Sequence, residues 1–155
     1  MQNQSKKQSQ KRPVLAGLDR LLADNETIER LSHRQVGLLT NHASATTAGI
    51  TASRALSQRL TEAGAPPIRL YTPEHGIHLS AHAGDPVDNT IDPSTGLAVQ
   101  SLYGGGGLDE TTSFEDIDSL IIDLRDVGVR CYTYAATAAQ AARRALEQHV
   151  EVIVC

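Results

Sequence analysis

Past residue 12 the chain alternates two kinds of apolar pattern. Residues 35–40 and 119–124 are near-continuous apolar runs, and 68–72 and 150–154 are shorter ones, as expected of parallel strands buried on both faces. Between these runs, apolar positions recur every three or four residues. Leu15, Leu18, Leu21 and Leu22 predict one short helix, and Ile28 and Leu31 predict a second with Asn25 as its N-cap. Ile50, Leu56 and Leu60 mark a helix of about three turns that stops at Gly64 and the pair Pro66 and Pro67; an alanine-rich helix covers 134–148. Residues 81–115 are rich in Gly, Asp, Pro, Ser and Thr, include four consecutive glycines at 104–107, and show little periodicity. They read as one long loop, and a loop of that length in a compact domain is usually functional. The order β-α-β-loop-β-α-β predicts an α/β fold with a mainly parallel, doubly wound sheet.

In such a sheet ligands bind beyond the carboxyl ends of the strands. The first strand runs into Thr40, Asn41 and His42, the second into Pro73, Glu74 and His75, and the third into Arg125 and Asp126. Three successive strands therefore bring their polar and titratable residues to one edge. Pro73 fixes the backbone just before the acid and Gly76 permits a sharp turn just after the histidine, so Glu74 and His75 are rigidly aimed. The competing reading of this segment is a solvated loop whose charges do nothing. The fourth strand reaches Cys155 with no loop after it, which predicts a truncated chain, the N-terminal part of a larger enzyme.

Composition narrows the field. A chain of 155 residues buries roughly two-thirds of its unfolded surface, enough for one core. With 3 % aromatics and no Trp, that core must be aliphatic. A net charge of −4 gives no basic footprint for nucleic acid. The two cysteines, Cys131 and Cys155, lack metal-site spacing and read as buried free thiols. Residues 1–12 carry positive charge but no apolar stretch, so they read as a disordered tail rather than a secretory signal, on a soluble, cytoplasmic chain that does not meet a membrane.

Five segments in register resemble the exo-β-N-acetylmuramidases, a glycoside hydrolase family formerly classed as a domain of unknown function. They are VGLLTNH at 36–42, PEHGI at 73–77, VD at 87–88 with IDPSTGL at 91–97, SLYG at 101–104, and DLRDVGVRCYTY at 123–134. The resemblance spans about residues 14–155. It implies a Rossmann-like N-terminal catalytic domain over 13–155, left incomplete, and the absence of a smaller C-terminal domain that would cover the site. The implied activity is release of N-acetylmuramic acid from the non-reducing ends of peptidoglycan fragments, so the implied partner is a muropeptide or peptidoglycan-derived sugar. No cofactor and no metal are implied.

By the same resemblance Glu74 is the catalytic glutamate. Cleaving a glycosidic bond requires a proton donor and a group that stabilises the oxocarbenium-like charge. As general acid, Glu74 would need its pKa raised towards neutrality, and His75 would be neutral and bonded to substrate or backbone. Asp126 is the candidate second carboxylate. Two alternatives stand beside it: a structural ion pair with Arg125 or Arg130, and substrate assistance by the 2-acetamido carbonyl. Arg130 suits the lactyl carboxylate of muramic acid, or else a surface position at a helix start. Asn41 and His42 would bond sugar hydroxyls or cap the strand end. Tyr132 and Tyr134 are packing residues or a sugar platform, and only one of them easily faces the crevice. The segment His78, Leu79, Ser80 and the four glycines depart from the family pattern, which bears on affinity and loop order.

Rival chemistries are weaker. His42, His75, His78 and His82 suggest zinc only if 75–82 were helical, which Pro73 and Gly76 oppose. The glycines at 104–107 lack a preceding strand and a following Lys-Ser or Lys-Thr, so they are no phosphate cradle. A non-catalytic remnant or carbohydrate-binding module is the alternative to the enzyme.

Overall fold

The computed structural model describes residues 14–104, 108 and 111–155; the expected tail at 1–12 and the glycines at 105–107 lie outside the described residues. In chain order the elements are α1 (Gly17–Ala23), α2 (Asn25–Ser32), β1 (Val36–Thr40), α3 (Ala52–Glu62), β2 (Arg69–Thr72), β3 (Thr90–Ile91), β4 (Ala98–Ser101), β5 (Ser119–Asp123), α4 (Tyr134–Glu147) and β6 (Glu151–Val154). One six-stranded sheet runs β3-β4-β2-β1-β5-β6. Every neighbouring pair is parallel except β3–β4. The α/β, Rossmann-like, doubly wound arrangement is thus the one the sequence predicts.

Each strand feeds two cores because successive side chains point to opposite faces. On one face Val36, Leu38, Leu70, Val99 and Ile121 meet Leu18, Leu21, Ile28, Leu31, Leu56 and Leu60 of α1, α2 and α3. On the other, Leu39, Tyr71, Leu120 and Ile122 meet Ala141 and Ala145 of α4, with Phe114. Gly37 sits on this second face, where a Cβ would lie 2.6 Å from Ile117 and 2.9 Å from the Tyr71 ring. Only glycine fits.

Four expectations need correction. The N-cap of α2 is Asp24, whose carboxylate accepts from the Thr27 amide, so Asn25 is the first helical residue. Ile50 precedes α3 and is 42 % exposed, because Thr46 and Ile50 close a tight turn by backbone bonding. The supposed loop 81–115 contains β3 and β4; β4 escapes a periodicity reading because only Val99 of its four residues is buried. Cys131 is exposed rather than buried, although both cysteines are free. No helix among the described residues is long and apolar enough to cross a membrane.

Candidate active site

The parallel strands turn polar together where they leave the core. Thr72 pairs in register with Ser101, and Thr40 with Asp123, at the carboxyl ends of β2, β4, β1 and β5. The Thr72 hydroxyl and one Asp123 oxygen are buried there without partners. Burial raises the Asp123 carboxyl above its ordinary value; Arg125 lowers it and Asp19 raises it further.

Glu74 follows β2 and is 5 % exposed. Its turn is unusual: His75 and Gly76 both adopt left-handed backbone, with φ 71° and 74°. Gly76 was the expected pivot, but His75 carries the rarer conformation, of a kind that concentrates at functional sites. The Thr133 hydroxyl, just before α4, donates to Glu74 Oε2 at 2.5 Å, and the Gly84 amide donates to Oε1 at 2.8 Å. The Tyr134 hydroxyl donates to the Glu74 backbone carbonyl at 3.3 Å. Thr133 is the largest influence on the Glu74 carboxyl and lowers its pKa; burial pulls upward, while Gly84, His75 and Tyr103 lower it further. The expected upward shift is therefore reversed, because an ionised carboxylate is what this ring of donors stabilises.

Around it lie three rings. His75 Nδ1 meets the Ala81 carbonyl at 2.9 Å, which puts the proton on Nδ1. Its ring stacks on Tyr132 with centroids 5.9 Å apart, and Tyr132 stands edge-on to Tyr134 at 4.5 Å. Asn41 is buried beside the Tyr134 hydroxyl; its Oδ1 accepts from the Ala43 amide and its Nδ2 has no hydrogen bond. Glu74, His75, Asn41 and Tyr132 are thus brought together.

Three predicted residues make no direct contact with Glu74 among the described residues. His42 turns to Asp92, with Nε2 3.3 Å from Oδ1, and its ring lies edge-on to His78. Asp126 is exposed in the segment after β5, where its Oδ1 accepts from the Gly128 amide at 2.7 Å. It lines a cavity of about 200 Å³ with Leu124, Tyr134, Val154 and Cys155, a cavity that does not include Glu74. Among the described residues Asp126 forms no ion pair; Arg125 instead donates to the Ala45 carbonyl. Asp126 thus follows the carboxyl end of β5, on the expected edge, but among the described residues its carboxylate bonds within its own turn and makes no contact with Glu74 or Asn41, because a strand end fixes the edge and the following turn fixes direction. Arg130 is exposed, and nothing among the described residues pairs with it. His75, His78 and His82 lie on turns rather than a helix, and among the described residues no cluster of three or more candidate ligands could hold a metal.

Sequence reasoning missed Thr133, Gly84, Tyr103 and Asp92. Asp92, Tyr103 and Thr133 lie inside the segments that carry the resemblance, and Asp92 also has a turn signature: Asp followed by Pro, Ser and Thr is a turn in which the carboxylate bonds the next amides and hydroxyls. Thr133 is 59 positions from Glu74, and nothing local marks its bond to that carboxylate.

A mainly parallel α/β sheet with a donor-held glutamate on its carboxyl rim defines the class, an open-sheet α/β protein with a candidate polar site. Residues 36–155 match the family described as exo-beta-N-acetylmuramidase NamZ, N-terminal, and the chain belongs to that family, a glycosidase family. It is similar to the peptidoglycan beta-N-acetylmuramidase NamZ of Bacillus subtilis, 36 % identical over 154 residues, 97 % of this chain and 35 % of the relative. It is also similar to a DUF1343 family protein of Bacteroides fragilis, with TM-score 0.69 and 32 % identity over 90 % of this chain and 33 % of the other. A second DUF1343 protein of that organism, at TM-score 0.64 and 24 % identity over 92 % and 34 %, shares the fold. The chain spans about a third of the length of the relatives it matches.

Proposed function

We propose that this chain forms the glutamate-bearing part of a site that releases N-acetylmuramic acid from the non-reducing ends of peptidoglycan fragments. The observation that carries the reading is Glu74, buried on the carboxyl rim, gripped by Thr133 and Gly84 and flanked by His75, Tyr132 and Tyr134. Family membership and the named activity of the Bacillus relative supply the substrate class.

Glu74 would give its proton to the leaving oxygen. It is ionised in the present arrangement, so the role requires a sugar that draws the Thr133 hydroxyl away and deepens burial as it covers the rim. Tyr132 offers the exposed edge of a sugar platform, and Arg130 offers an unoccupied guanidinium for the lactyl carboxylate. Asp126 as second carboxylate is disfavoured by its position, which leaves the substrate's own acetamido group or another side chain. The low pKa of Glu74 favours one second reading, a module that binds the sugar without cleaving it.

The test is chromophore release from a synthetic N-acetylmuraminide by this chain and by Glu74→Gln. Release by the first, reduced about 10²- to 10⁴-fold in the second, is the expected result. No release from either overturns the hydrolase in favour of the binding module.

A further inference from the structure

Hydrolysis needs a group that takes the proton of the attacking water, and among the described residues no second carboxylate contacts Glu74. The geometry points to the Asp92–His42 pair as that group, with His42 as proton acceptor and Asp92 as its positioning residue; this rests on the glycosidase reading above. Asp92 is fully buried, yet it is not free to rotate. Its Oδ1 accepts from the Ser94 amide at 3.0 Å, the Ser94 hydroxyl lies 2.9 Å from both oxygens, and the Thr95 hydroxyl donates to Oδ2 at 3.0 Å. Burial pulls its pKa up, but hydrogen bonds from Ser53, Ser94 and Thr95 together bring it down to about 2, so it is a carboxylate at any working pH.

An ionised Asp92 only accepts. The His42 nitrogen beside it, Nε2, therefore carries a proton, and in the neutral imidazole the lone pair is then on Nδ1. A buried carboxylate that fixes the tautomer and heading of a half-exposed imidazole is the arrangement by which proton acceptors are held ready. The pair is also tied to the glutamate. The His42 amide donates to the Ile77 carbonyl at 2.9 Å, three residues after Glu74, and the His42 ring touches His78 of the same turn. The residue before His42 is Asn41, buried beside the Tyr134 hydroxyl that donates to the Glu74 carbonyl.

In the step this implies, water oxygen bonds to the anomeric carbon while one water proton passes to His42 Nδ1. The glycosidic bond breaks with its electron pair on the leaving oxygen, which takes the proton of Glu74. Solvent then carries the His42 proton away and reprotonates Glu74. The anomeric centre inverts.

The test is the long-range proton–nitrogen spectrum of the histidines in ¹⁵N-labelled chain, with and without the methyl β-glycoside of N-acetylmuramic acid. Wild type is expected to show His42 protonated on Nε2, and added glycoside to shift its Nδ1 resonance along with the amides of residues 74–78. Asp92→Asn is expected to lose the single tautomer while the amides around Glu74 stay in place. A proton on His42 Nδ1 in wild type overturns the proposal without any variant, as does glycoside that moves the Glu74 turn and leaves His42 unmoved. Glycoside that shifts nothing overturns the sugar reading itself, and this proposal with it.

Discussion

Thr133→Val removes one hydroxyl, the strongest single hold on Glu74, and keeps the shape of the side chain. A hydrogen bond to a charged group contributes about 1.5–3 kcal/mol, and water near the rim puts this one towards the lower end, about 1.5 kcal/mol. For a chain of this length that corresponds to a fall of about 3–6 °C in melting temperature at neutral pH. The direction with pH follows from the lowered pKa of Glu74. A carboxyl depressed in the folded state adds stability above its unfolded pKa, and that stability is lost as pH falls through the folded value. The gap between wild type and Thr133→Val should therefore be full at pH 7 and close in acid, once Glu74 is protonated in both proteins. Urea unfolding across the acid range measures the gap, and the carboxyl carbon resonance of Glu74 reports the titration, which should move upward in the variant. Thr133→Ser keeps the donor and should titrate like wild type. An unchanged Glu74 titration in Thr133→Val refutes the claim that Thr133 holds the carboxylate.

Two further outcomes test the fold itself. Gly37→Ala should destabilise by about 1–3 kcal/mol in urea unfolding, because its Cβ would enter the Tyr71 ring and Ile117; a neutral effect would mean that the second core gives way freely. A thiol reagent at mildly alkaline pH should label Cys131 fast and Cys155 slowly, since burial pushes the Cys155 thiol up to about 11 and Cys131 is exposed; equal rates would contradict the packing of Cys155 against α1.

What the sequence made legible follows from how each element is buried. β1 and β5 are apolar at nearly every position because both faces are covered, so their runs stand out and their boundaries are read within a residue. β4 is covered on one face only. Ala98 and Gln100 face outward, and a strand with one buried residue has no period to detect. The cap of α2 was misread by one position because Asp24 and Asn25 are equally good caps, and only the bond to Thr27 decides between them. At the site, Glu74 and His75 were legible because proline and glycine bracket them. Thr133, Tyr103 and Gly84 were not, because their contacts with Glu74 are tertiary and come from three different loops. Asp126 was misplaced for the complementary reason: the Gly128 amide claims it within its own turn.

The same split governs the chemistry. Sequence can say that a glutamate lies on the rim, but whether it donates or only accepts a proton depends on the balance struck by neighbours far along the chain. At Glu74 that balance favours the anion, with Thr133 ahead of burial. A sugar hydroxyl competing for Thr133 removes the largest downward influence, and any cover over the rim strengthens the one upward influence. Both changes push the carboxyl in the same direction, so substrate binding would itself convert the group from acceptor to donor. On the proposed reading, a glutamate poised this way would stay ionised until a glycosidic oxygen was there to take the proton.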